Sequence, residues 1–527
     1  MTDLLYYPEL RTVTDTVAFH ARHRPDQVAI VCEDREVSYA RLHRESNRTA
    51  HAIRAAGLGR GGRVAYLGKE SEHYYDVLFA CAKSGTVLVP INWRLAVPEV
   101  DHIVRDSACE LLFVEEEYLP VVSGSAATGG GRRLTVTVDS AGDRGAGLRA
   151  WKAGHPDTDL DPGTGPDDPV TQLYTSGTTG LPKGVVLAHR SFFAVRDALA
   201  EHGADWVDWR PGDVSLIAVP GFHVGGLWWA MQAFNAGVPN VAMRMFVSED
   251  AVDLIRRHGV SVTCMVPAML QMALSGPTVS RADFATLRKV SYGGAPIAEA
   301  LLTSCLDVMD CEFAQIYGLT ESGNTAICLP PGDHVAGSSL LAAAGRPYPG
   351  FGVKIIDPEG TTLPPHEIGE VCLDTPARML EYWRQPEATA KTMVDGWLRT
   401  GDAGYLDDYG YLFICDRIKD TIIVTGENVY PAEIEKAICE HPAVAEAAII
   451  GVPDERWGEA IQAVVALRPG QRATPRELTV FLRERIADFK LPTRYEFIDR
   501  LPRNPSGKIL RRTLRDKHWS HMSRQVN

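Results

Sequence analysis

Residues 174–190 read YTSGTTGLPKGVVLAHR. An apolar run, VTQLYT (170–175), leads into a loop of Gly, Ser and Thr that ends on Lys183, and a second apolar run, GVVLAH (184–189), leaves it. Both runs have the length and side-chain types of strands. Such a loop suits a polyphosphate. Gly lets backbone N–H groups turn toward an anion, hydroxyls donate hydrogen bonds, and Lys adds a point charge. It is not a Walker A loop, because Pro182 and not Gly precedes Lys183. A strand follows the lysine, so a helix dipole is not the expected source of anion binding.

Outward from the loop, short apolar runs alternate with helical stretches. GRVAYLG (62–68) is followed by the helical SEHYYDVLFACAKSG. VSLIAVP (214–220), VSVTCMVP (260–267) and LRKVSYGG (287–294) are further strands, each with a helical stretch behind it. After GVVLAH, SFFAVRDALAEHG has helical spacing with Ser191 at the N-cap position. Strands feeding helices imply parallel or mixed sheets with helices on their faces, and ligands at the C-terminal strand ends. The fold class is α/β, a large N-terminal domain of mixed β-sheets flanked by helices. A second, α+β unit is expected near residue 416. Its helix PAEIEKAICE starts on Pro431, a residue tolerated at a first helical position. The strands AVAEAAIIGV, AIQAVVAL and RYEFID and a helix near 476–487 complete it. The Gly/Ala/Ser/Arg-rich stretch 123–148 reads as a surface loop, and GLGRGG (57–62), which precedes a strand, as a turn.

Composition narrows the class. At 527 residues the chain exceeds one ordinary core. With 54 basic and 67 acidic side chains the formal charge is −13, which argues against a nucleic-acid partner. The ten Cys lie singly, without a CxxC pair, as expected of buried thiols in a reducing cytoplasm. The opening MTDLLYYPELRTVTD lacks the apolar segment of a signal peptide. No run of ~18 apolar residues would cross a bilayer. The expected localisation is cytoplasmic, with no transmembrane segment.

YTSGTTGLPKG resembles the signature of the adenylate-forming superfamily of acyl-CoA synthetases, adenylation domains and luciferases. YGLTES (317–322), LRTGDAG (398–404), DRIKDTIIVTGENVYPAEIE (416–435) and NPSGKILRR (504–512) are similar to its later motifs, in order. GFHVGG (221–226) and YGGAP (292–296) fit its acyl-binding region. The closest resemblance is to acyl-CoA synthetases of the fatty-acyl and aryl type. It implies an ATP- and Mg²⁺-dependent acid–thiol ligase. A carboxylate is joined to AMP with release of pyrophosphate, and the acyl group then passes to coenzyme A. An amine, a carrier-protein thiol or an inorganic nitrogen species is the alternative nucleophile. The implied domains are 1–416, with the ATP and acyl sites, and 417–527, a mobile lid carrying the catalytic lysine. A homodimer stays open, as does the identity of the small carboxylic acid.

The resemblance also implies roles. Thr175, Ser176, Gly177, Thr178, Thr179, Gly180 and Lys183 would cradle the phosphates. Thr320 would contact the α-phosphate and Glu321 would bind Mg²⁺, a hard cation that prefers oxygen. Gly294, Ala295, Gln315, Tyr317 and Gly318 would surround the adenine and AMP, with Tyr317 either packed on the base or an ordinary buried tyrosine. Asp402 and Arg417 would bind ribose. Lys508 would bridge the carboxylate and α-phosphate, and Lys419 would be the hinge. Phe222, His223, Gly293 and Gly318 would form the acyl site, with His223 orienting or gating. Gly221 is smaller than the residue many relatives carry. Trp228 and Trp229 would either wall the pocket or fill the core. Gly426, Glu427 and Trp457 would meet coenzyme A. Arg511, Arg512, Arg515 and Lys517 are either a solvated face or contacts to its phosphates.

Overall fold

The computed structural model describes residues 5–123, 134–138, 147–175, 182–203, 206, 208–276, 279–295, 297–424, 427–454, 458–503 and 509–519. By packing, the chain divides into two compact units, residues 1–353 with 373–398, and residues 354–372 with 399–527. The architecture is mixed α/β.

The larger unit holds a nine-stranded sheet. Its centre is parallel, in the order Glu312–Tyr317, Lys289–Gly293, Val262–Met265, Ser215–Ile217, Asn240–Ala242 and Val28–Cys32. Antiparallel strands close both edges. Buried on both faces, the central strands read as apolar runs, and Leu216, Val290, Tyr292 and Phe313 pack in one core with helix residues Leu270 and Leu302. A seven-stranded sheet contains Arg63–Leu67, Val87–Ile91 and the antiparallel pair Pro169–Thr175 and Lys183–Ala188.

Two helices run through the interior. Glu72–Ser84 is capped by Ser71, whose hydroxyl accepts from Tyr74 N, and ends at Gly85 in the left-handed region. Val224–Ala236 is buried from Gly226 onward. A helix apolar all round belongs in a core, and here Tyr75 and Phe79 of the first meet Phe234 of the second at ring separations of 5.0 and 5.3 Å. Trp228 and Trp229 are core residues, and Trp229 Nε1 donates to Ser215 Oγ at 3.1 Å.

The smaller unit has a sheet built on the pair Val444–Asp454 and Gly458–Leu467, flanked by Ile422–Val424 and Arg494–Ile498. Helices Pro431–Cys439 and Pro475–Arg483 pack on it through Ile434, Ile438, Leu478 and Leu482. Pro431 stands at the helix start, as its sequence position suggests.

Two local expectations are corrected. Ser191 is not an N-cap. His189–Phe192 form a 3₁₀ turn and the helix is Ala194–Glu201. Burial of His189, Phe192 and Phe193 and the Val13 N donation to His189 Nδ1 at 3.1 Å override the local capping preference. Within 123–148, Leu134–Val138 is a strand parallel to Leu111–Glu115. Its TVTV alternation is a strand signal that the small-residue composition around it outweighed. Seven of the ten cysteines are buried, Cys311 and Cys415 are half-buried, Cys439 is exposed, and all are free thiols. Among the described residues no helix is long and apolar enough to cross a membrane.

Candidate active site

The candidate residues of the larger unit gather at the C-terminal ends of its parallel strands, where such sheets bind ligands. Gly293 ends one strand and lies opposite Ile316 of the next. A Cβ at Gly293 would stand 2.3 Å from Ile316 O, so only Gly permits this approach. Gly294 follows at φ +77°, and it and Ala295 are exposed at the sheet end. On the neighbouring strand, Gln315 Oε1 accepts from the Tyr292 hydroxyl at 3.0 Å, and Tyr317 is half-buried.

The turn beyond Tyr317 is tightly held. A Cβ at Gly318 would lie 2.3 Å from Asn324 O and 2.7 Å from Ser322 Oγ. Ser322 Oγ accepts from Leu319 N at 2.8 Å and closes the 3₁₀ turn Thr320–Ser322. Thr320 and Glu321 are thereby presented half-buried on a rigid turn. A Cβ on Gly225 would be 3.6 Å from Asn324 Oδ1, so the helix start carrying His223 lies close to this turn. Phe222 is buried, His223 is half-buried, and their rings are 4.6 Å apart.

The phosphate side comes from the seven-stranded sheet. Thr175 and Lys183 face each other across the antiparallel pair. A short segment that the motif reading passed over joins them to Glu321. Glu381–Tyr382 pairs with Val185 and Val186, and Trp383 N donates to Gly184 O at 2.7 Å. Met379 N donates to Glu321 O at 2.7 Å. The Tyr382 hydroxyl donates to Glu321 Oε1 at 2.8 Å, and Lys183 Nζ stands 5.0 Å from the Tyr382 ring centre. Tyr382 therefore links the cation of the phosphate loop to the candidate metal carboxylate. No motif signals it, since a two-residue strand is too short to show a period.

Mg²⁺ commonly takes one or two protein carboxylates and completes its shell with phosphates and water. Among the described residues there is no cluster of three acidic, His or Cys side chains for a metal. Glu321, with one oxygen engaged by Tyr382 and partial exposure, fits a cation held largely by its substrate.

In the smaller unit Asp402 and Arg417 are cross-strand partners, and Arg417 Nε approaches Asp402 Oδ1 to 2.5 Å. The two expected ribose contacts are thus neighbours. Beside them Asp416, also missed, accepts from Arg417 N and from Ala432 N at 2.7 Å each, capping the Pro431–Cys439 helix. Burial raises Asp416 to about 6. Arg511 pairs with Glu435 at 2.6 Å and faces Asp420 at 3.8 Å, so it is a structural ion pair and not a solvated residue. Arg512 pairs with Asp516 at 3.4 Å and Lys517 with Glu496 at 3.9 Å. Lys419 lies in the 3₁₀ turn Ile418–Asp420 and Glu427 opens the strand Glu427–Val429, with the side chains of both outside the described set. Ser176, Gly177, Thr178, Thr179, Gly180, Gly426, Trp457 and Lys508 lie outside the described residues.

A rigid Thr-Glu turn stands beside a glycine-lined sheet end, with a lysine linked to the glutamate through Tyr382. The model of the AMP-binding enzyme family matches residues 17–383 and that of the AMP-binding enzyme C-terminal domain matches 433–508. The chain belongs to this family of adenylate-forming ligases. Among its relatives, a fatty acid–[acyl-carrier-protein] ligase, ScoC, of Streptomyces coeruleorubidus is 62% identical over 526 residues, covering 100% of both chains. A feruloyl-CoA synthase of Amycolatopsis sp. is 37% identical, covering 94% of this chain and 96% of its own. The crystal structure of ATP-bound MatB from Rhodopseudomonas palustris superposes with a TM-score of 0.88 at 29% identity, covering 97% of this chain and 100% of that one.

Proposed function

We propose that this ligase activates a fatty acid as its acyl-adenylate and transfers the acyl group to the thiol of an acyl carrier protein. The observation that carries the first half is the Lys183–Tyr382–Glu321 link, in which one tyrosine contacts both a cation and a half-buried carboxylate. Catalysis of adenylation is positioning plus charge neutralisation. In this reading Lys183 and the preceding hydroxyls hold the leaving pyrophosphate, Thr320 donates to the α-phosphate, and Glu321 holds Mg²⁺. The ion, when bound, neutralises charge on the phosphate oxygens. Tyr317 and the Gly294–Ala295 backbone flank adenine, Asp402 and Arg417 hold ribose, and Lys508 bridges the reacting carboxylate and phosphate. For the second half, residues 417–527 turn about Lys419 as a lid against 1–416. This functional boundary differs from the packing boundary, as a hinge requires only a few backbone angles to change.

The acceptor is the finer question. Identity of 62% along the whole chain to a carrier-protein ligase supports the carrier thiol. Coenzyme A is the second reading, supported by the 37% identity to a CoA ligase, and Gly426, Glu427 and Trp457 would then meet the nucleotide. A cytoplasmic setting suits either thiol, since both must stay reduced. The test is product mass spectrometry with fatty and aromatic acids, ATP, and either coenzyme A or a phosphopantetheinylated carrier protein. The expected result is acyl-carrier thioester formed with the higher kcat/KM. Faster acyl-CoA formation would move the assignment to coenzyme A. Absence of acid-dependent exchange of labelled pyrophosphate into ATP would remove both.

A further inference from the structure

The acyl side carries a buried device in which two residues outside the family motifs, Glu70 and Tyr74, hold one inside them, Gly221. Gly221 precedes Phe222 and His223, and both polar groups of its backbone are held by one neighbouring segment. Its N–H donates to Glu70 Oε2 at 2.8 Å. Its carbonyl accepts from the Tyr74 hydroxyl at 2.8 Å. Glu70 and Tyr74 are 3% and 2% exposed. The other Glu70 oxygen accepts from the Tyr75 hydroxyl. Ser71, between them, caps the helix Glu72–Ser84, so Glu70 and Tyr74 project from one rigid helix start.

Gly221 is also fitted to Tyr74 in shape. A Cβ at 221 would lie 2.7 Å from Tyr74 Cε1 and 2.8 Å from Cζ. The tyrosine ring fills the room that a side chain at 221 would take. Gly226 completes the turn, because a Cβ there would stand 2.2 Å from Val219 O. Glu70 follows the strand Arg63–Leu67 of the seven-stranded sheet, and Gly221 follows Ser215–Ile217 of the nine-stranded sheet. The contact therefore ties the ligand-facing ends of both sheets together beside His223.

We propose that Glu70 and Tyr74 are positioning residues for the carboxylic acid: by gripping the Gly221 peptide on both sides they set the turn that presents Phe222 and His223 to the acyl group. The inference rests on the reading of 221–223 as acyl-binding. A buried carboxylate whose two partners are a hydroxyl and one amide is costly, and burial lifts Glu70 to about 7. A purely packing role is met more cheaply by an apolar side chain.

The experiment measures acid-dependent pyrophosphate release by the full-length enzyme and the variants Tyr74→Phe and Glu70→Gln. The acid is the one that wild type uses best among fatty acids of several lengths and aromatic acids. Tyr74→Phe keeps the ring that fills the space and removes only the donor. The expected result is a rise of about tenfold in KM for the acid, the size of one lost hydrogen bond, with KM for ATP unchanged and thermal stability within a few degrees. Combined with His223→Ala, Tyr74→Phe should add little further loss, because coupled sites are non-additive. Equal changes in the acid and ATP constants, or loss of stability with unchanged kinetics, would overturn the proposal. If Tyr74→Phe fails to fold, a third variant, Glu70→Met, which removes the acceptor of Gly221 N, carries the same comparison, with Glu70→Gln, which keeps that acceptor, as the control expected to stay near wild type. Lack of acid-dependent turnover by wild type would overturn the acyl-binding reading and this proposal with it. A normal wild type with no acid-specific effect in the variants would overturn the positioning role alone.

Discussion

The phosphate side and the acyl side of the candidate site are held in opposite ways. On the phosphate side, Lys183, Tyr382 and Glu321 make a chain in which a buried tyrosine joins two half-buried charged side chains. On the acyl side, Glu70 and Tyr74 grip Gly221 from the dry interior. Water reaches the charged ends of the first and hardly at all the second. The contrast follows the ligands: a triphosphate arrives solvated and leaves as pyrophosphate, whereas an acyl chain needs an apolar wall with one orienting turn. On the proposed reading the polar side acts through charge, and the buried side through geometry.

The sharpest way to break that division is at the residue expected to serve both sides. Lys508→Ala should slow adenylate formation by ~10²–10⁴-fold, the scale for losing one preorganised electrostatic donor. Acyl transfer from supplied acyl-adenylate should suffer far less. Equal losses in both half-reactions, measured by single turnover, would remove Lys508 from the bridge.

Next in size is a pH effect confined to the buried side. Glu70 titrates near 7 when folded, above its ordinary value of 4.5, because burial disfavours its charge. Between those values the folded chain keeps a proton that the unfolded chain has lost. Its stability contribution is therefore present below about 4.5, falls as pH rises toward 7, and is flat above. The expected span is roughly 3 kcal/mol. Denaturant melts of Glu70→Gln across this window should lose that component of the slope, and an unchanged slope would place the titration elsewhere.

On the polar side, Tyr382→Phe removes one donor to a carboxylate, worth about 1.5–3 kcal/mol. Adenylation should fall about ten- to a hundredfold, with a raised Mg²⁺ requirement and nearly unchanged thermal stability. A fall in stability without a change in Mg²⁺ dependence would make Tyr382 a strut of its strand only. Thr179→Val is the mildest: ~1–3 kcal/mol lost from adenylation and from pyrophosphate-driven reversal. Transfer from preformed acyl-adenylate should stay intact, and impairment of both steps would make the loop a structural turn.

The family, the mixed sheets and the candidate phosphate residues are legible in the sequence alone. Those features are local: a Gly/Thr loop between two strands, a Thr-Glu turn after Tyr317-Gly318, and Pro431 opening a helix are each written in a few consecutive residues. Even the order of strands and helices is local, because apolar runs and their turn residues mark each element. Contacts between segments far apart in the chain become visible only in the folded structure. Trp228 and Trp229 turn out to be core, Ser191 loses its cap to the packing of His189 and its neighbours, and Arg511 is paired with Glu435. Tyr382 reaches Glu321 across 61 positions and Glu70 reaches Gly221 across 151. A hydrogen bond between such residues leaves no period and no spacing in one sequence. It exists only because two sheets bring their strand ends to the same place, where a buried carboxylate must find partners.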